Sequence, residues 1–100
     1  MSEENAFFLL DGERLVPTAL TRGPWSPIHQ HGGPPAAVMA RAIEQAAGEP
    51  ESLHMIRFTV DFARPVPMQP LTVSVERVRD GRRARGYAAV LSAGGQAVAR

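Results

Sequence analysis

The stretch "GPWSPIHQHGGPPAAVMARAIEQAAG", Gly23–Gly48, changes character in its middle. A loop crowded with Pro, His and Gly runs without a gap into an Ala-rich segment at helical spacing. Over residues 34–47, Ala36, Met39, Ala40, Ile43 and Ala47 fall on one face of a helix. Arg41, Glu44 and Gln45 fall on another, so the segment reads as an amphipathic helix. Pro34 or Pro35 fits its first turn, where a missing N–H costs nothing. Gly48 fits the position just past its last turn. The pair Gly32-Gly33 is harder to place. Glycine loses more backbone freedom on folding than any other residue. Two in a row at a helix start imply that something must approach the backbone there.

Outward from this stretch the pattern changes. On the N-terminal side, residues 6–10 and 13–19 read as two short extended pieces around the turn dipeptide Asp11-Gly12. On the C-terminal side the period drops from 3.6 to 2. In "HMIRFTVDFARPV" Ile56, Phe58, Val60 and Phe62 alternate with Arg57, Thr59 and Asp61, so one strand face is apolar and faces the helix. Pro65, Pro67 and Pro70 end that strand. Leu71, Val73 and Val75 share one face of the next. Asp80-Gly81 marks a hairpin, residues 83–92 return, Gly94-Gly95 marks another turn, and residues 96–100 begin a last strand that stops without a closing turn. The order is a hairpin, a long loop, one helix and an antiparallel meander. It predicts an α+β domain, the hotdog fold, in which one central helix packs on an antiparallel sheet. A domain of this size gains from pairing, as a homo-oligomer or with a second half.

Composition narrows the classes of function. The 100 residues predict one domain, 1–100, and 44% apolar with 21% charged residues is a globular balance. A formal net charge of +1 gives no global field for nucleic acid or membrane. There is no Cys, which excludes a disulfide framework, a thiolate zinc site and a Cys nucleophile. The opening "MSEENAFFLL" is acidic with too short an apolar run for a signal peptide, so a cytoplasmic location is expected. His29 and His31 form an H-x-H pair with no third ligand nearby, so no metal and no cofactor are expected. His54 opens a strand and reads as structural.

Three segments together resemble a known family. "GPWSPIHQHGGPPAAVMARAIE", "IRFTVDFARPVP" and "VERVRDGRRARGYAAVLSAGGQAVAR" are similar to the N-terminal half of acyl-CoA thioesterase II (TesB-like) proteins and the thioesterase-like superfamily. The carriers are His-Gly-Gly before the helix, Phe-x-Arg-Pro at the end of the following strand, and the Arg-Asp-Gly hairpin. The resemblance covers about residues 8–100. It implies a hotdog half that pairs with a second half, and hydrolysis of fatty acyl-CoA thioesters to free acid and coenzyme A. It assigns His31, Gly32 and Gly33 to the catalytic site, because helix-start N–H groups hold the oxyanion formed at an attacked thioester carbonyl. The plainer reading is that two glycines simply permit a tight turn.

The remaining residues carry weaker signals. Small thioesterases with a His-Gly-Gly motif often place a carboxylate nine residues after the His; here that position is Ala40. Glu44 and Asp61 are the alternatives for a general base. The run "RVRDGRRAR", residues 77–85, holds five Arg and one Asp. Arg79, Arg82 and Arg83 suit the phosphates of coenzyme A, and a solvated hairpin is the competing account. No aromatic residues interleave them, against nucleic acid. Trp25, the only Trp, either lines an acyl channel or plugs the sheet edge. Two other functions stay open: a non-catalytic half that shapes a partner's acyl tunnel, and a hydratase on the same fold. The latter needs an Asp near His29 or His31, and there is none.

Overall fold

Residues 6–48, 55, 57–81 and 84–100 are described by a computed structural model. Ile56, His54, Arg82 and Arg83 lie outside the described residues. Five strands follow chain order across one antiparallel sheet: β1 (Phe8–Asp11), β2 (Arg14–Pro17), β3 (Leu71–Asp80), β4 (Arg85–Ala93) and β5 (Gln96–Ala99). The helix α1 (Gly33–Ala47) packs across β3 and β4. A single 3-10 turn, Ala19–Thr21, lies between β2 and the helix.

The alternation in "LTVSV" explains the packing. Leu71, Val73 and Val75 stand opposite Ala93, Leu91 and Ala89 in the β3–β4 ladder and share the helix-facing side. Met39 is the helix residue that enters this layer; it is 1% exposed, and Leu71 and Leu91 are fully buried. Burial of a side chain of this size contributes roughly 1.5–3 kcal/mol. Ala36, Ala40 and Ile43 flank Met39 and are half-buried, while Arg41, Glu44 and Gln45 face solvent. The helix therefore lies along the concave side of an antiparallel sheet, which is the hotdog arrangement.

The segment after the helix departs from the sequence reading. Residues 57–63 form no continuous ladder. Their main chain pairs with the sheet at its β5 edge, where the Asp61 N–H donates to the Arg100 carbonyl (2.8 Å), the Arg100 N–H to the Asp61 carbonyl (3.0 Å) and the Ala63 N–H to the Val98 carbonyl (2.9 Å). Phe58 and Val60 pack against the core as expected. Phe62 does not; it is 42% exposed and covers Gly32. Phe62 is bridged to Ala99 at the edge of the sheet, on the helix-facing side, and from this edge position its ring reaches the helix start.

Candidate functional site at the start of α1

The loop before α1 is held from both sides. The Gly23 N–H donates to the His29 carbonyl (2.8 Å) and the His31 N–H to the Thr21 carbonyl (2.9 Å). On the other side the Gln30 N–H donates to the Val66 carbonyl and the Met68 N–H to the Ile28 carbonyl, at 2.8 and 2.9 Å. The Gln30 side chain adds a bond from Nε2 to the Pro67 carbonyl (2.8 Å). Residues 28–31 are thus the middle of a small three-segment ladder. It delivers His31 and the glycines in a defined direction.

The helix start itself is sparse in donors. The first turn of a helix normally leaves four N–H groups unpaired. Pro34 and Pro35 have none, and the Ala36 N–H is taken by the Gly32 carbonyl at 3.1 Å. Gly32 and Gly33 are exposed, and their N–H groups make no hydrogen bond among the described residues. Two adjacent donors at the positive end of the helix dipole are therefore open to solvent.

Neither glycine is demanded by the protein's own geometry. Gly32 has φ −74° and ψ −22°, an ordinary right-handed conformation. Gly33 is not among the positive-φ glycines either. A Cβ on Gly32 would lie 3.5 Å from the Phe62 ring, and one on Gly33 would lie 3.6 Å from Nδ1 of His31. Both are normal van der Waals contacts. Gly81 shows the contrary case: a Cβ there would stand 2.7 Å from the Ala84 carbonyl oxygen. The bare backbone at 32 and 33 thus has no internal cause in conformation or packing.

Aromatic rings flank the two glycines. Phe62 stands over Gly32, and the His31 ring stands beside Gly33. Phe7 meets the His31 ring edge to face, with centroids 6.4 Å apart and planes at 78°. His31 is exposed and its imidazole makes no hydrogen bond among the described residues. It is the main-chain N–H of His31, not the ring, that ties the loop. Phe7 and Phe62 were not foreseen at the site. The only sequence signal for them was that both are large apolar residues on short or Pro-bounded extended segments.

The other anticipated residues lie elsewhere. Trp25 is 94% exposed, so it does not plug the sheet edge. Arg79 sits on the β3–β4 hairpin. Phe62 is bridged to Ala99, which pairs with Leu91 and through it with Val73. Six residues of strand separate Val73 from Arg79, about 20 Å. The hairpin also breaks register between Arg77 and Arg79, where Val78 bulges. Arg77, Tyr87 and Arg85 continue the helix-facing row, and the bulge brings Asp80 onto that same face. Arg77 and Arg85 accordingly meet Asp80 at 3.3 and 3.8 Å. Arg79 is left on the opposite face, with no ion pair among the described residues.

The general-base candidates are not gathered at the helix start. Glu44 lies eleven residues along the helix from Gly33, about 16 Å. With Arg41, Gln45 and Gly48 it lines an open hollow of about 510 Å³ on the outer face of the helix. Asp61 is exposed and its main chain is engaged by Arg100. Among the described residues no group of three His, Asp or Glu side chains is placed to hold a metal ion, and no helix is long and apolar enough to cross a membrane.

The family model of the acyl-CoA thioesterase N-terminal domain matches residues 21–100. The chain belongs to this family. No curated protein and no solved structure matches it. The thioesterase-domain match covers the loop, the helix, the 57–63 segment and strands β3–β5. The β1–β2 hairpin, which carries Phe7, precedes the matched stretch.

Proposed function

We propose that the protein acts in acyl-CoA thioester hydrolysis, with the start of α1 as the place where the thioester carbonyl sits. The observation that carries this reading is the pair of bare glycines. Their N–H groups are unpaired and exposed, and neither backbone conformation nor neighbouring atoms require glycine there. Close approach of an outside group is the remaining physical reason for them. Water adds to the thioester carbonyl, and the negative charge gathers on its oxygen. The Gly32 and Gly33 N–H groups receive that charge. Collapse breaks the C–S bond and releases the free acid and the thiol of coenzyme A. The unbonded His31 imidazole holds the attacking water. Phe62 lies against the acyl side of the carbonyl, and Trp25 lines the outer approach. Of the Arg residues expected to meet the phosphate-bearing end of coenzyme A, Arg79 lies on the sheet face away from α1, so this role falls to Arg82 and Arg83. The enzyme works in the cytoplasm and pairs as the first half of a TesB-like double hotdog or with a second copy.

The test is Gly33→Ala, assayed by thiol release from a medium-chain acyl-CoA. A methyl group that blocks approach to one donor should lower the rate on the order of a hundredfold, as loss of an oxyanion donor does. The fold should be retained. A variant turning over at the wild-type rate would remove the helix start from the chemistry.

One observation favours a second reading, a non-catalytic half that shapes a partner's acyl tunnel. Ala40 occupies the position where a helix carboxylate is expected, and Glu44 faces away from the site. A chain that binds acyl-CoA but hydrolyses none until a catalytic partner is added would establish it.

A further inference from the structure

The matched family stretch begins at residue 21, yet the ring that meets His31 comes from residue 7. We propose that Phe7 is a positioning residue for the His31 imidazole, which makes the β1–β2 hairpin part of the site. This rests on the thioester reading above.

Four contacts close a circuit. Thr18 is 2% exposed. Its N–H donates to the Phe7 carbonyl at 2.9 Å. Its hydroxyl donates to the Ala6 carbonyl at 2.6 Å and lies 3.1 Å from that of Phe7. The Thr18 carbonyl in turn accepts the Thr21 N–H at 3.0 Å and the Thr21 hydroxyl at 2.9 Å. The Thr21 carbonyl accepts the His31 N–H at 2.9 Å. The circuit returns to its start through the edge-to-face contact of the His31 and Phe7 rings. One turn, buried at Thr18 and Thr21, therefore places both the main chain of His31 and the ring that its imidazole rests on.

Burial does not account for Phe7, which is 49% exposed. Hydrogen bonding does not orient the imidazole, which has no bond among the described residues. An aromatic edge-to-face contact prefers one ring geometry over others, and so restricts the imidazole where nothing else does.

The experiment uses the full chain, the variants Phe7→Leu, Phe7→Tyr and Thr18→Val, and His31→Ala with and without Phe7→Leu. The His31 ring-proton shifts are read by NMR without substrate, and kcat and KM are measured on a medium-chain acyl-CoA. Phe7→Leu should move the His31 ring resonances, because the ring current is lost. It should lower kcat about tenfold, with KM within about twofold. Phe7→Tyr should restore both readouts. Thr18→Val should reproduce the Phe7→Leu shifts in part, by loosening the backbone under Phe7. In a His31→Ala background Phe7→Leu should have no further effect on kcat. Unmoved His31 resonances, a change in KM alone, or additive losses in that background would overturn the proposal. A wild-type chain that hydrolyses no thioester would sink the thioester reading instead, and the ring shifts would still decide whether Phe7 orients His31.

Discussion

Arg77 and Tyr87 stand directly opposite each other across the β3–β4 hairpin, and the guanidinium carbon of Arg77 lies 5.6 Å from the Tyr87 ring centroid. The Val78 bulge one residue on decides what else joins them. Without it Asp80 would alternate onto the other face of the sheet; with it Asp80 sits beside Arg77 and Arg85. Deletion of Val78 removes the extra residue, so Asp80 should stay two positions from Arg77 on the same face, still opposite Arg85, with both ion pairs kept and no drop in urea midpoint. Val78→Thr should change stability by less than about 0.5 kcal/mol, because Val78 is 61% exposed. Loss of the ion pairs on deletion, read as a fall in urea midpoint, would refute the parity argument.

A double-mutant cycle on Arg77→Ala and Tyr87→Ala should give a favourable coupling, because the guanidinium stands over the ring face. Urea denaturation measures it. Zero coupling would mean the stack contributes nothing in solution.

The glycines should respond in opposite senses. Gly33 is in a conformation open to any residue, so Gly33→Ala should hold or raise stability by up to about 1 kcal/mol while activity falls. Gly12 sits at φ +63°, so Gly12→Ala should lower stability by about 1–2 kcal/mol and leave turnover alone. Thermal melts beside thiol-release assays distinguish them. Parallel losses of stability and activity at Gly33 would point to a structural role.

Phe62→Ala should cost about 1 kcal/mol or less, well under the roughly 3–5 kcal/mol of a core Phe. The reason is its exposed position over Gly32. Leu91→Ala, at a fully buried site, should cost about 2–5 kcal/mol and leave little folded protein. A Phe62 loss as large as that of Leu91 would place Phe62 in the core.

Residues 61–63 cover only part of the β5 edge of the sheet, and an open edge favours pairing. Sedimentation at micromolar concentration should return at least twice the 10.8 kDa chain mass. A stable monomer would rule out self-pairing and leave only a distinct second half.

Replacing Arg82 and Arg83 together by Gln should raise KM for acyl-CoA and flatten its dependence on salt. No change in either would leave the hairpin as a solvated arm.

The regular elements were legible in the residues themselves. Helical spacing with flanking prolines and Gly48 located α1 to within one residue, and the dipeptides Asp11-Gly12, Asp80-Gly81 and Gly94-Gly95 located the three hairpin turns. His31, Gly32 and Gly33 were legible as a site because they are contiguous and sit where a helix must begin. These features depend on neighbours a few residues apart, so the local pattern determines them. The edge position of Phe62, the parity switch at Val78 and the contact of Phe7 with His31 depend on which distant segments pair and where that pairing stops. Alternation assigns residues to a face only while the ladder runs unbroken. Where the ladder ends or bulges, the positions of Ala99, Gly86 and Thr18 in the folded chain decide where the side chain goes, and only the tertiary structure contains them.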